Sequence, residues 1–485
     1  MRILFIDIDT LRPDHMSAYG YPRKTTPNLD RIASEGVRFD NVYTSDAPCL
    51  PSRAALISGM FGIHNGAVGH GGTAADRRLI GRNRDFTDKI DDNNFNRIFR
   101  KAGMHTVSIS TFAERHSSFW FQAGFHEVYN QGGCGAESAE SVTPIALEWL
   151  DRNAERDNWY MHFHLWDPHT PYRAPQSFGN PFENEPVPTF ITEQILDEHK
   201  KFSSPHGACE IGMYTDVENP AFPRHPGRID DMNGVRRLVD GYDTGIRWAD
   251  ENCGMIFQKL RELGIYEDTA IIITSDHGEN MGELGLYAEH GTADEPTCHI
   301  PLIIKWPGAM KNTFDSALHY QLDLVPTMAE LLNVPACDHW DGRSFASTVL
   351  TGKEDGRESL VLSQMAHVCQ RSARFDDYLY IRTVHDGFHL FDRDMLFNVK
   401  KDPYELSDIK DERPDIVQKG AKIILDWTED AMLLSESPLD PMWTVMSEGG
   451  PYHTTGWKEK YTQRLYDTGR YEAAEKLKNK DYHTK

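Results

Sequence analysis

The chain is poor in cysteine and in positive charge, and it has no long hydrophobic run. Its 485 residues include seven cysteines, an odd number without regular spacing, which argues against a disulfide framework and a cysteine zinc site. Lys and Arg number 51 against 74 Asp and Glu, so the formal charge is −23. Because contact with phosphates needs clustered Lys and Arg, we expect no nucleic-acid partner. No apolar run is long enough to cross a bilayer, so we expect no membrane partner either.

The N-terminus also lacks the pattern of a secretory leader. Its apolar stretch, residues 3–9, is short and is interrupted by Asp7 and Asp9. Such a stretch is typical of a buried parallel strand. Together with the initiating Met1 and the absence of a disulfide framework, it predicts a cytoplasmic protein.

Apolar runs and amphipathic stretches alternate along the first part of the chain. Strands are predicted at residues 3–9, 104–110, 159–166, 269–275 and 300–306, and helices at residues 29–35, 94–102, 144–155 and 242–263. Alternation of this kind predicts an α/β fold in which helices cover both faces of a parallel sheet.

Two changes of pattern divide the chain. Residues 173–235 are rich in Pro, Phe, Glu and His and show little periodicity, which predicts a loop or small helical excursion over the active-site mouth. After about Phe345 the pattern changes to short strands (360–363, 378–383 and 388–392) and then to helices. We therefore predict a catalytic α/β domain over 1–345, with 173–235 as its insertion, and a C-terminal α+β subdomain over 346–485.

The pentapeptide Cys49-Leu50-Pro51-Ser52-Arg53 carries the most functional information. Pro51 favours the first turn of a helix, which Gly59 can end. Cys49 then lies beside a helix N-terminus that favours negative charge, and Arg53 adds a permanent cation one turn later. This corner suits an anionic substrate beside a reactive side chain; the alternative is a buried thiol before an ordinary helix.

Acidic residues stand at the carboxyl ends of two predicted strands. Asp9 ends the first, and Asp276 with His277 follows the strand at 269–275. Open α/β sheets place their sites at this edge, so two carboxylates and an imidazole predict a divalent-metal site with room for a substrate oxygen. The alternative is a capping Asp and a surface His.

The pentapeptide resembles the sulfatase maturation signature Cys-x-Pro-Ser-Arg. The loop 168–171 around His169 and the pair Asp276-His277 are also similar to sulfatase landmarks, and residues 323–327, 341–344 and 396–405 match further landmarks in family order. The matches cover most of 1–170 and 240–410. The resemblance implies a large mixed, mostly parallel sheet flanked by helices (alkaline phosphatase-like) with a smaller C-terminal α+β subdomain. It also implies a sulfuric ester hydrolase.

The family's cofactors and nucleophile carry over to particular positions. The resemblance implies that a maturation enzyme oxidises Cys49 to formylglycine, whose hydrate attacks sulfur. It also implies one divalent metal, Ca²⁺ first and Mn²⁺ or Mg²⁺ otherwise, held by Asp9, Asp276, His277 and the modified Cys49. Thr10 replaces the second acid of the family's first pair. Asp7 lies two residues before Asp9 on the same strand face, so it is either the missing ligand or a strand acid bonded to its neighbours.

The remaining family roles fall mainly on histidines and on Arg53. The resemblance implies that Arg53 stabilises the nucleophile and that His169 protonates the leaving oxygen, a task suited to a group with a pKa near neutrality. His290 stands where many sulfatases have Lys, so we expect it to assist the leaving group with a stronger pH dependence. His116 and His70 are candidate substrate-binding residues.

The expected substrate is a small sulfated saccharide, held by an aromatic collar that includes Trp166 and Tyr172. A glycosaminoglycan fragment is one such molecule. The main alternative is a phosphonate monoester or phosphodiester hydrolase of the same superfamily, although those relatives tend to have Gly-Pro where this chain has Leu50-Pro51. An alternative of another class is a catalytically inactive sugar-binding relative. The sequence does not predict an oligomeric state.

Overall fold

Two main sheets and one two-stranded sheet organise the protein, which the computed structural model describes over residues 1–78, 88–201 and 204–482. The strands are β1 Arg2–Ile8, β2 Val37–Tyr43, β3 Asp46–Ala47, β4 His105–Ile109, β5 Glu127–Tyr129, β6 Trp159–Leu165, β7 Thr269–Thr274, β8 Asn280–Met281, β9 Tyr287–Glu289, β10 His299–Lys305, β11 Thr313–Tyr320, β12 Ser359–Gln364, β13 Cys369–Phe375, β14 Tyr378–His385 and β15 Asp394–Phe397. The helices of four or more α-helical residues are α1 Pro27–Glu35, α2 Cys49–Ser58, α3 Gly62–Asn65, α4 Lys89–Asp92, α5 Phe95–Lys101, α6 Phe112–Arg115, α7 Ala139–Asn153, α8 Glu193–His199, α9 Met232–Glu262, α10 Glu295–Cys298, α11 Leu324–Leu331, α12 Ala346–Thr351, α13 Pro414–Leu434, α14 Pro441–Ser447, α15 Lys458–Asp467 and α16 Tyr471–Asn479.

The larger sheet has eight strands in the order β11-β2-β10-β7-β1-β6-β4-β5. The central strand β1 pairs in parallel with β6 and β7, and β4 pairs in parallel with β5 and β6. Only β10 runs antiparallel to its neighbours, β7 and β2. The predicted large, mixed and mostly parallel sheet is therefore confirmed.

The sheet is buried on both faces. Along β1, Leu4 and Ile6 belong to one apolar cluster with residues of α7 and α9, whereas Ile3 and Phe5 belong to a second cluster with residues of α2, α5 and α11. Successive side chains of a strand point to opposite faces, so a strand covered on both sides is apolar throughout. This explains the continuous apolar run at the N-terminus.

Two predicted helices begin earlier than expected. The helix predicted from Tyr242 begins at Met232, because the Asp231 carboxylate accepts hydrogen bonds from the N–H groups of Asn233 and Gly234. The helix predicted from Pro144 begins at Ala139 and contains that proline in its second turn.

The smaller sheet has the order β15-β14-β13-β12-β3. Its four C-terminal strands are antiparallel, and β3, directly before α2, pairs in parallel with β12. A smaller C-terminal sheet is thus confirmed, whereas the division at 345/346 stays a prediction. The strand predicted at residues 388–392 is wrong. Phe388 and Leu390 have φ angles of 73° and 60°, which do not continue a strand, and β15 begins at Asp394.

Residues 173–235 contain one α-helix of seven residues, α8, before α9 begins. The rest of this segment, where described, is irregular apart from a short 3₁₀ turn at Gln176–Phe178. Among the helices described, none combines the length and the apolar character needed to cross a membrane.

Candidate active site

Four potential ligand groups meet at the carboxyl edge of the larger sheet. Asp9 follows β1, Asp276 and His277 follow β7, and Cys49 opens α2. Because β1 and β7 pair in parallel, with Asp7 opposite Thr274, the residues beyond their ends lie together. One ligand atom from each of the four residues lies within 4.8 Å of the others, and Cys49 Sγ is 3.1 Å from His277 Nε2.

Helix α2 is held against the loop after β7 by Ser52, directly and through Gln321, whose Oε1 accepts a hydrogen bond of 3.2 Å from Ser52 Oγ. Ser52 Oγ donates a hydrogen bond of 2.7 Å to the Asp276 carbonyl oxygen. Gln321 Nε2 donates to the Ser275 carbonyl oxygen at 2.6 Å. All ten residues of α2 are buried, so Cys49 lies at a rigid helix start rather than on a loose loop.

Arg53 binds three carboxylates at the floor of the site. Its Nη2 lies 3.0 Å from Asp7 Oδ2 and 3.1 Å from Asp9 Oδ2, and its Nη1 contacts Asp276. The guanidinium also lies over the Phe112 ring, 4.8 Å from its centroid. Three carboxylates face one guanidinium, so negative charge is in excess here when all are ionised. A buried excess charge of this kind is costly unless a cation compensates it.

The same contacts shift the pKa values of Asp9 and Asp276 in opposite directions. Burial raises the pKa of Asp9, but Arg53 and then His169 outweigh it, so the pKa lies well below its usual range. Burial raises the pKa of Asp276, and Arg53 opposes the rise only in part. Burial followed by Asp9 and Asp276 raises the pKa of the Cys49 thiol well above its usual range. An unmodified Cys49 is therefore a protonated, weakly nucleophilic thiol.

Asp7 lies outside the four-residue group. Its Oδ2 contacts Arg53 and lies 3.4 Å from His162 Nε2, which matches the interpretation of a strand acid bonded to its neighbours. Thr10 has a φ angle of 58°, and its N–H donates a hydrogen bond of 3.3 Å to Asp276 Oδ1. Thr10 therefore orients a carboxylate through its backbone.

The group of Asp9, Cys49, Asp276 and His277 fits a divalent cation. Asp9 Oδ1 is buried without a hydrogen-bond partner, whereas Asp9 Oδ2 forms the ion pair with Arg53; the unsatisfied oxygen is costly unless another ligand binds it. Asp276 and His277 are 1% and 0% exposed, so the alternative of a capping Asp and a surface His does not hold. Two carboxylates and an imidazole suit a cation that accepts both oxygen and nitrogen ligands.

Two histidines face the nucleophile position. His169 Nδ1 bonds the Thr170 carbonyl oxygen at 2.5 Å, which turns Nε2 to within 3.9 Å of Cys49 Sγ. The His290 ring lies against His277, with centroids 4.2 Å apart, and 5.3 Å from the His169 ring. Burial lowers the pKa of His290 to about 3 and that of His169 below its usual range, so both are neutral in the free protein.

A cavity of about 520 Å³ opens above Cys49. Its lining is dominated by imidazoles and consists of Cys49, His70, Arg115, His116, Ser117, His169, Thr170, Glu289, His290, His367, Tyr452 and His453. The candidate substrate residues His70 and His116 both line it, with ring centroids 5.2 Å apart. The expected collar of Trp166 and Tyr172 is wrong, because each is only 1% exposed and lies beneath the surface.

Sequence reasoning missed a third of the twelve residues that line this cavity. Glu289, His367, Tyr452 and His453 line it, yet no motif distinguished them from other residues of their types. A second cavity of about 500 Å³ shares Tyr452 and His453 with the first. Its lining includes Tyr214 and Trp457, whose rings stack 4.5 Å apart. Trp457 is exposed and Tyr214 is half-buried, and only folding brought these two rings together.

Comparison with known proteins adds an independent finding. A family profile described as Sulfatase matches residues 2–334. The chain is 24% identical over 466 residues to an arylsulfatase of Clostridium perfringens, covering 84% of this chain and 89% of that one. It is 24% identical over 477 residues to an N-acetylglucosamine-6-O-sulfatase of Bacteroides thetaiotaomicron, covering 84% and 82%.

Solved structures show the same fold. One is a protein in complex with its substrate D-glucosamine-2-N,6-O-disulfate, with a TM-score of 0.71 at 19% identity, covering 91% of this chain and 99% of that one. Another is a phosphonate monoester hydrolase from Silicibacter pomeroyi, with a TM-score of 0.66 at 18% identity, covering 93% and 98%.

Proposed function

The chain belongs to the sulfatase family and is a sulfuric ester hydrolase, and from this premise we propose that it removes sulfate from a small carbohydrate through a formylglycine made from Cys49. One observation carries the proposal. Cys49 lines the cavity, and its sulfur lies within 4.8 Å of a ligand atom from each of Asp9, Asp276 and His277. A formylglycine-generating maturation enzyme is then a required partner. The cytoplasmic location stays a prediction.

Asp9, Asp276, His277 and the modified Cys49 would hold the divalent metal. When bound, such a cation supplies Lewis-acid polarisation of sulfate oxygens. Ca²⁺ remains the metal expected from the resemblance. The nitrogen ligand of His277 favours Mn²⁺ instead, because Ca²⁺ prefers sites built from oxygen alone.

The side chains around Asp9, Asp276 and His277 have separate roles in holding these ligands and in proton transfer. Arg53 holds Asp9 and Asp276 in place and balances part of their charge. His169 faces the nucleophile position through Nε2, where an arriving sulfate anion raises the pKa of the imidazole and favours its protonation. We assign to His169 the transfer of that proton to the leaving sugar oxygen. His290 lies against the His277 ring, and its assistance to the leaving group stays a prediction.

The two connected cavities support a saccharide substrate. The inner cavity presents hydrogen-bonding groups, including His70, His116 and Arg115, and the outer cavity presents the stacked rings of Tyr214 and Trp457. Sugar rings offer polar edges and apolar faces, which match this arrangement. A relative named N-acetylglucosamine-6-O-sulfatase and a similar structure bound to a sulfated glucosamine support the same substrate class.

The first experiment is the mass of the proteolytic peptide that contains Cys49, measured on protein co-produced with a maturation enzyme. We expect an aldehyde or its hydrate in place of the thiol, and turnover of sulfated glucosamines that follows the modified fraction. Cys49→Ala should abolish turnover, whereas Cys253→Ala, a buried cysteine of α9, should not.

Assay of sulfate and phosphonate esters side by side tests the alternative activity. Its support is the fold shared with phosphonate monoester hydrolases. Faster phosphonate turnover by modified protein would overturn the sulfatase proposal. Sugar binding without turnover, after proven modification, would support the inactive relative.

A further inference from the structure

Three histidines outside the metal group converge at the wall of the active-site cavity. His70 lies in a Gly-rich turn after α3, His367 follows β12, and His453 lies between α14 and α15. One ring nitrogen of each lies within 4.8 Å of the other two. His70 Nδ1 is 3.0 Å from His453 Nε2, and the His367 and His453 rings stack with centroids 4.0 Å apart.

A carboxylate stands behind this triad. Glu289 Oε1 lies 3.6 Å from His367 Nε2, and Glu289 Oε2 lies 2.7 Å from His206 Nε2. His206 is itself oriented by a 2.7 Å hydrogen bond between its Nδ1 and the Ile211 carbonyl oxygen. A carboxylate next to a ligand imidazole is the usual outer arrangement of protein metal sites.

The one hydrogen bond within the triad, between His70 Nδ1 and His453 Nε2, leaves another ring nitrogen without a partner. His70 Nε2 is buried without a hydrogen-bond partner. Burial lowers the pKa of His453 to about 4, and those of His70 and His367 also fall below the usual range, so the rings are neutral near pH 7. Neutral imidazoles offer lone pairs to a metal, whereas they offer no positive charge to a second sulfate group.

We propose that His70, His367 and His453 bind a divalent transition-metal ion, with Zn²⁺ preferred, as a second metal site separate from Asp9, Asp276 and His277. Three imidazoles are a common ligand set for zinc, and Ca²⁺ or Mg²⁺ would find no oxygen ligand in the triad. All three residues line the cavity above Cys49, so a fourth ligand position is open to the cavity. That position suits a hydroxyl or carboxylate oxygen of the bound saccharide.

The test is zinc binding to the full-length chain, freed of metal with a chelator and then saturated with Mn²⁺ at the catalytic group. Because Zn²⁺ binds such sites more tightly than Mn²⁺ does, it can replace Mn²⁺ at the catalytic group, and titration calorimetry and elemental analysis should find one further equivalent of Zn²⁺ beyond that one. Co²⁺ in its place should give the visible absorption of a nitrogen-liganded site. These readouts do not depend on sulfatase activity or on modification of Cys49.

Variants locate the ion. His453→Ala and His70→Gln should each remove the further equivalent, and Glu289→Gln should weaken its binding about 10- to 100-fold. Asp276→Asn should retain the further equivalent of zinc. His126→Ala should retain it as well, because His126 packs against His105 at another edge of the sheet. Circular dichroism checks that each variant is folded. If one of the two ligand variants does not fold, the other still tests the site. Three results would overturn the proposal. The further equivalent of zinc would survive both ligand variants, it would disappear in Asp276→Asn, or it would be absent from the wild type.

Discussion

At the scale of single residues, Arg53 is the cation that forms ion pairs with three buried carboxylates. Removing it leaves Asp7, Asp9 and Asp276 without their common partner. We expect Arg53→Ala to lower the free energy of unfolding by about 3–5 kcal/mol at pH 7, as for a broken buried ion pair. Arg53→Lys should lose less, because it keeps the charge but not the planar fork. Denaturant unfolding in the presence of a chelator measures both.

The loss of unfolding free energy in Arg53→Ala should become smaller as the pH falls from 7 to 5. Arg53 helps to hold the pKa values of Asp7 and Asp9 below their usual value of 3.8, so their stabilisation is present above about pH 4 and is lost at lower pH. Without Arg53, burial raises these pKa values, and Arg53→Ala should gain stability as the pH falls from 7 to 5. A variant as stable as the wild type at pH 7 would contradict this account.

His169 is expected to matter most when the leaving group is poor. Its Nε2 faces Cys49, and proton transfer by a positioned side chain contributes about 10²- to 10⁴-fold to rates. His169→Ala should therefore reduce kcat on a sulfated sugar by that range, and much less on an aryl sulfate whose phenolate leaves without a proton. Steady-state kinetics on both esters measures the difference. An equal loss on both substrates would contradict the assignment.

At the scale of secondary structure, one helix caps another. The residue before α1, Thr26, makes no side-chain cap. Instead, Asp250 of α9 accepts hydrogen bonds from the N–H groups of Asn28 at 3.0 Å and Leu29 at 2.9 Å. The first-turn donors of α1 are thus satisfied by a carboxylate more than 200 residues away.

This cap predicts the effect of two neighbouring substitutions. Asp250→Ala should cost about 1–3 kcal/mol, because it leaves buried N–H groups without acceptors. Asp250→Asn should cost less, since its amide oxygen still accepts. The control is Glu251→Ala, which removes only the partly exposed pair with Arg247, worth about 0.3–0.5 kcal/mol. Thermal unfolding ranks the three variants; equal losses at 250 and 251 would refute the cross-helix cap.

At the scale of the whole molecule, the C-terminal helices hold the insertion 173–235. Glu210 is 0% exposed and forms ion pairs with Arg464 and Arg470, and it accepts a 2.6 Å hydrogen bond from Tyr461 Oη. Helices α15 and α16 thus connect to the same segment that brings Tyr214 to the outer cavity. The position of the aromatic rings at the outer cavity therefore depends on contacts between residues more than 240 positions apart.

Glu210→Ala should loosen this connection without touching the nucleophile. We expect a stability loss of up to about 3 kcal/mol, since the arginines left behind are partly exposed. Protease cleavage should increase within residues 204–228, and KM for a sulfated disaccharide should rise while kcat changes little. Asp230→Ala, which breaks a surface pair with Arg228, is the control. An unchanged KM and an unchanged cleavage pattern would argue against the connection.

Local patterns in the sequence determined the framework of the protein. The apolar run before Asp9 predicts a buried strand because such strands are covered on both faces. The acids at strand ends predict where a site forms, since parallel strands bring their carboxyl ends to one edge. The pentapeptide from Cys49 to Arg53 marks helix α2 for the same local reason: Pro51 favours a first turn and Gly59 ends the helix wherever the rest of the chain lies.

Only the tertiary structure decided which side chains share a space. Asp7 and Asp9 lie two residues apart, yet only Asp9 joins the four-residue group with Cys49, Asp276 and His277, because Asp9 lies beyond the end of its strand and Asp7 lies within it, where its Oδ2 contacts Arg53 and His162. Trp166 proved to be buried, and His453 joined the cavity wall from the far end of the chain. Contacts of this kind depend on how sheets and helices pack over hundreds of residues. Residue type and local spacing carry no record of that packing, so the framework was predictable and the lining of the pocket was not.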